Sequence, residues 1–114
     1  MTAAMLDEGV AFANRHMDRG ERVLVHCEHG IGRSVLLACC VLVSLGHSPV
    51  SALDLAKRAR WQASPSPDQL HALLRWSTDW HLRNQVPCPA DTWDDLARVA
   101  YRHLQADADA EWGR

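Results

Sequence analysis

Apolar and polar positions alternate along the chain in a way that outlines five helices and one short strand. From Thr2 to Arg19 the apolar residues Met5, Val10, Phe12, Ala13 and Met17 fall roughly on one side of a helix. Asp7, Glu8, Asn14, Arg15 and Asp18 fall on the other. Gly20 ends that helix. Val23, Leu24 and Val25 are apolar in succession and rich in β-branching, the pattern of a strand buried on both faces, here over about residues 22–26. A second helix opens at Arg33 or Ser34, is apolar nearly all round, and stops at Gly46.

Three further helices follow. Ser48 and Pro49 have the residue types of an N-cap and a first helical position, which opens a helix through "ALDLAKRARW". After the turn "QASPSP", residues Asp68 to Asn84 carry Leu70, Leu73, Leu74, Trp76 and Trp80 at helical spacing. After "VPCPAD", Thr92 to about Asp107 repeats the pattern through Leu96, Val99, Ala100 and Leu104. One recognisable strand among helices leaves a doubly buried strand without neighbours. Either partner strands are supplied by sequence outside the chain, or the segment is not a strand.

Composition narrows the class. The chain has 114 residues, enough for one small domain. A formal net charge of −2 offers no footprint for nucleic acid or an anionic membrane, so anion binding has to be local. The longest apolar run, Val35 to Val43, is far short of the ~20 residues of a membrane span. Met1 to Leu6 lacks the pattern of a secretory leader, and the four cysteines, Cys27, Cys39, Cys40 and Cys88, show no C-x-x-C spacing. The expectation is a cytoplasmic, reducing setting with free thiols. Cys39 and Cys40 read as core packing and Cys88 as a loop thiol. His47, His71, His81 and His103 have no ligand spacing, so no metal and no cofactor is expected.

The chemistry concentrates in "VLVHCEHGIGRS", Val23 to Ser34. Strand, glycine-bearing loop and helix in that order build an anion nest. Backbone N–H groups around Glu28 to Arg33 can converge on an anion, and the helix N-terminus adds its positive end. Gly30 and Gly32 permit close approach of backbone to ligand. Arg33 carries a planar fork that grips two oxygens of an oxyanion at once. A thiol at the mouth of such a nest, Cys27, is acidified, comparable settings giving pKa values of ~3.5–7.5. The stretch therefore combines a nucleophile with an oxyanion cradle.

These residues resemble the H-C-x5-R-[S/T] signature of cysteine-dependent protein tyrosine phosphatases, in the form seen in dual-specificity phosphatases. The resemblance runs from about residue 5 to residue 80. It includes the lead-in "FANRHMDRGERVLVHC" and the region "GHSPVSALDLAKRARWQASPSPDQLHALLRW", with Arg60-Trp61 where the family has Arg-Pro. It implies an α/β phosphatase-like fold, N-terminally truncated. Residues 1–86 would be a partial catalytic domain, and residues 87–114 a C-terminal helical extension.

The resemblance also implies roles. Cys27 attacks phosphorus and becomes a phosphocysteine. Arg33 and the loop amides of Glu28, His29, Gly30, Ile31, Gly32 and Arg33 bind the phosphoryl oxygens. Ser34 donates to the Cys27 sulfur as the intermediate breaks down, and His26 braces the loop. In the family an aspartate on an upstream loop protonates the leaving oxygen. Its position would fall before Met1, and Asp7, Glu8 and Asp18 do not match its motif. The expected function is hydrolysis of phosphate monoesters, on a phosphoprotein or a small phosphomonoester, without that general acid. The alternative is a catalytically impaired phosphate-binding module or a non-functional fragment.

Overall fold

The computed structural model describes residues 2–23, 33–59 and 65–102. Its element order is α1 (Ala3–Asp18), α2 (Arg33–Ser44), α3 (Pro49–Ala59), α4 (Pro67–Arg83) and α5 (Trp93–Ala100). Among the described residues there is no strand. The strand expected over 22–26 falls at Leu24, Val25 and His26 outside the described residues, and Arg22 and Val23 have no regular structure.

Each helix boundary has a local cause. The Thr2 side chain accepts from the Met5 N–H at the start of α1. Ser48 accepts from the Ser51 N–H, and with Pro49 it opens α3 as the sequence indicates. Ser66 and Gln69 form a reciprocal capping box on α4, and Thr92 and Asp95 form one on α5. The Asp95 carboxyl is held below the ordinary carboxylate range by its hydrogen bonds from Thr92.

Three helices close with the same C-terminal arrangement. After α2 the Gly46 N–H donates to Val43 O and the His47 N–H to Leu42 O, with Gly46 at φ 110°. After α1 the same pair of bonds forms around Gly20, at φ 76°. After α4 the left-handed position is taken by Gln85, at φ 55°, a conformation that glycine adopts at less cost.

The helices pack around α2, whose Val35, Leu36, Cys39, Cys40, Val41 and Val43 are all buried. α1 presents Leu6, Val10 and Ala13, with Met17 partly buried, at spacings of four, three and four residues. Met5 and Phe12, expected on that face, are instead about half exposed (51% and 52%). They lie one step around the helix, on the row of Gly9 and His16. At Gly9 the two helices approach so closely that a Cβ there would sit 2.7 Å from a Leu37 methyl. Gly9 against Leu37 and the 3.0 Å hydrogen bond from Asn14 Nδ2 to Ser44 Oγ ascend both helices together. α1 and α2 therefore run parallel.

The short connection 45–48 makes α3 antiparallel to α2 and returns its C-terminal end to the level of Arg33. α4 starts from that end. It buries Leu70, Leu73 and Trp76, and ties to α1 where Trp76 Nε1 (2.8 Å) and Arg83 Nη2 (3.0 Å) both donate to Asp7 Oδ1. α5 adds Leu96 and Ala100, both fully buried, to the same core that residues 3–83 build. Fully burying a leucine side chain is worth ~1.5–3 kcal/mol, so Leu53, Leu70, Leu73 and Leu96 dominate the apolar contribution of α3, α4 and α5.

Candidate active site at the N-terminus of α2

The described part of the site is the opening of α2. Arg33 is its first residue and is exposed, while Ser34, next to it, is buried with 8% of its surface accessible. The first turn of α2 contains no acidic residue. The partial positive charge of the helix end is thus unopposed by the helix's own side chains and adds to the Arg33 guanidinium. The buried stripe of α2 fixes the helix axis, and with it the direction in which that end points. His26, Cys27, Glu28, His29, Gly30, Ile31 and Gly32 lie outside the described residues.

The remaining thiols sort themselves by environment. Cys39 and Cys40 are both fully buried. Burial pushes the Cys39 thiol up to about 12, and raises Cys40 further with help from Cys39 and Asp7. Both stay protonated at neutral pH and act as small core residues, as their place in an apolar helix suggests. Cys88 is exposed in the segment between α4 and α5.

The acidic residues upstream of the site are otherwise engaged or badly placed; Glu21 pairs with His16 at 2.6 Å. Asp7 accepts from Trp76 and Arg83. Asp18 ends α1, and because α1 and α2 run parallel it lies at the opposite end of the bundle from Arg33. Arg58 pairs with Asp54 along α3 at 3.0 Å and is largely exposed. Among the described residues no group of three or more His, Cys, Asp or Glu could hold a metal, and no helix is long and apolar enough to cross a membrane. A groove of about 410 Å³ runs between α1 and α4, lined by Thr2, Leu6, Arg75, Trp76 and Asp79 among others. It does not reach Arg33 or Ser34.

Sequence reasoning missed the polar contacts that join α5 to its neighbours. The Asp91 carboxylate accepts from the Val50 N–H (2.9 Å), Lys57 Nζ donates to Ala100 O (2.7 Å), and Tyr101 Oη donates to Pro65 O (2.8 Å). A lysine in a helical run signals a solvated residue, and nothing local marks Lys57 as one of the most buried side chains of the chain.

A buried helix thus opens on the Arg-Ser end of an H-C-x5-R-S stretch and packs against α1, α3 and α4. The chain belongs to the dual specificity phosphatase catalytic domain family, which matches residues 1–79. That family carries the phosphatase-like fold, to which the described residues contribute the helical part. Among curated proteins the chain is similar to "Phosphatidylglycerophosphatase and protein-tyrosine phosphatase 1" of Rattus norvegicus. The two are 34% identical over 73 residues, covering 63% of this chain and 38% of the rat protein. The protein of the same name from Mus musculus matches with the same identity and coverage. The match thus spans little more than a third of either relative's length. No solved structure matches.

Proposed function

We propose that this chain hydrolyses phosphate monoesters through a phosphocysteine intermediate on Cys27. The observation that carries the reading is the placement of Arg33, exposed on the first turn of the buried helix α2, six residues after Cys27 in the sequence. The Cys27 thiolate attacks phosphorus; an S–P bond forms and the P–O bond to the leaving group breaks. Arg33 and the amides of Glu28 to Arg33 take the charge of the transferring phosphoryl oxygens. Water then attacks phosphorus, the S–P bond breaks, inorganic phosphate leaves, and the Ser34 hydroxyl donates to the returning thiolate. His26 orients the loop.

Asp7, Glu8 and Asp18 take no part as proton donors. Asp7 is occupied by two donors, Glu8 is exposed on α1, and Asp18 is at the wrong end of the bundle. The name of the relatives joins a lipid phosphatase to a protein-tyrosine phosphatase. Both substrates present the same chemistry, a phosphate monoester dianion, and differ in leaving group: an alkyl oxygen in one, a phenol in the other.

Arg33 supplies the test. Arg33→Ala removes a charged bidentate clamp on the transition state and is expected to lower kcat/KM for 4-nitrophenyl phosphate by ~10²–10³-fold, the loss typical of one oxyanion donor. Arg33→Lys restores charge without the fork and recovers only part of the rate. A kcat/KM in Arg33→Ala equal to that of the unmodified chain contradicts the proposal.

A further inference from the structure

The contacts of residues 91–102 form a pattern that neither the family match, which ends at residue 79, nor the phosphatase reading explains. α5 runs alongside α3 in the same direction: Asp91 meets Val50 at one end, and Ala100 meets Lys57 at the other. The two contacts are reciprocal caps. The Asp91 carboxylate satisfies a free N–H in the first turn of α3, where the helix dipole favours an anion. The Lys57 ammonium satisfies the last carbonyl of α5, where the dipole favours a cation. Lys57 is only 2% exposed, so its ammonium reaches the Ala100 carbonyl from a buried position.

The same segment also grips the start of α4. Tyr101 Oη donates to Pro65 O (2.8 Å), Trp93 Nε1 donates to Pro67 O (3.3 Å), and the Trp93 indole stacks on His71 with ring centroids 5.4 Å apart. Burial raises the Tyr101 phenol's pKa, which keeps it a donor. Arg102 completes the set with an ion pair to Asp54 of α3 at 2.6 Å. Leu96 and Ala100, fully buried, lie beneath these ties.

The Arg102–Asp54 pair joins from the middle of α3, and the ties at Ala100 and Tyr101 gather where α3 ends and α4 begins. The antiparallel turn of α2 into α3 brings this end to the level of Arg33. We propose that residues 91–102 are a strap that locks the end of α3 to the start of α4, and that Tyr101 and Lys57 act through it as positioning residues for the Arg33 end of the bundle. The effect on turnover rests on the phosphatase reading above; the locking does not.

The test compares the full chain with Tyr101→Phe, which deletes one hydroxyl from an otherwise identical ring, and with Lys57→Met, which keeps the length of the side chain. Hydrogen exchange is expected to quicken roughly three- to tenfold in the last turn of α3 and the first turns of α4, the effect of losing one net hydrogen bond. The kcat/KM for 4-nitrophenyl phosphate falls by a similar factor, and the pH dependence of Cys27 alkylation stays in place because the nest itself is untouched. Faster exchange confined to α5 overturns the strap, and unchanged kcat/KM with faster exchange in α3 and α4 overturns the positioning role. If Lys57→Met unfolds, Tyr101→Phe alone decides between these outcomes. Absence of turnover in the unmodified chain sinks the phosphatase reading instead, and the exchange comparison still decides the strap.

Discussion

Cys27→Ser will reduce the release of 4-nitrophenol from 4-nitrophenyl phosphate to the rate of buffer alone. A serine hydroxyl stays protonated where a nested thiol is a thiolate, so the substitution removes the nucleophile while changing the side chain by one atom. The loss is confined to chemistry. Arg33 still opens α2 with no acidic residue in its first turn, so the variant retains its affinity for inorganic phosphate. This pairing of lost turnover with retained binding separates a missing nucleophile from a misfolded loop. Neither Cys39 nor Cys40 can substitute, because both thiols are buried and held protonated. Equal rates for the unmodified chain and Cys27→Ser would show that the hydrolysis, if any, does not use this residue.

The second large effect concerns the leaving group. General acid catalysis contributes ~10²–10⁴ in rate, and most where the departing oxygen is a poor leaving group. With Asp7 taken up by Trp76 and Arg83, and Asp18 at the far end of the bundle, the proposed mechanism leaves the departing oxygen without a carboxyl donor from α1. Aryl phosphates, including phosphotyrosine peptides, are therefore expected to turn over ~10²–10⁴-fold faster in kcat/KM than phosphoserine peptides or a glycerol phosphate headgroup. The measurement is phosphate release from matched phosphotyrosine and phosphoserine peptides and from phosphatidylglycerophosphate in mixed micelles. Comparable rates on the three substrates would show that a proton donor does operate in this chain. Binding of phosphopeptides that depends on Arg33, with no turnover of any substrate, would instead identify a phosphate-binding module.

Much of the helical part was legible because its signals are local. Ser48 and Pro49, and Gly20 and Gly46, mark helix ends through contacts within a few residues, and the structure uses each of them. The α1 face was partly misjudged, since a helical stripe at 100° per residue separates Leu6, Val10 and Ala13 from Met5 and Phe12 by only one position. Gly9, which lets α2 come close, has no side chain to register in such a count. The ties of α5 were invisible for a different reason. Asp91 with Val50, Lys57 with Ala100 and Tyr101 with Pro65 join residues more than thirty positions apart. No spacing rule anticipates them, and Lys57 in particular carries the polarity of a surface residue into a buried position. The candidate site shows the opposite balance. Its motif was plain in "HCEHGIGRS", and the structure adds the exposed Arg33 and the buried Ser34 at the head of a buried helix.

The helical frame also bears on how the site is held. A helix buried on nearly every side cannot tilt without disturbing α1, α3 and α4 together, so the direction of its N-terminus is set by the core rather than by the loop. Pre-set direction is what gives an oxyanion cradle its strength, since the donors need not reorganise as charge develops.

The phosphocysteine intermediate is tested most directly by rapid acid quenching of the chain during turnover of a phosphotyrosine peptide, followed by mass spectrometry of the peptide that contains Cys27. Ser34→Ala is the variant of choice, because loss of the hydroxyl slows departure of the thiolate and lets the intermediate accumulate. One added phosphoryl group is expected on Cys27, absent from Cys27→Ser treated in the same way. Turnover with no phosphoryl group on Cys27, or with one on any other residue, would contradict the phosphocysteine mechanism.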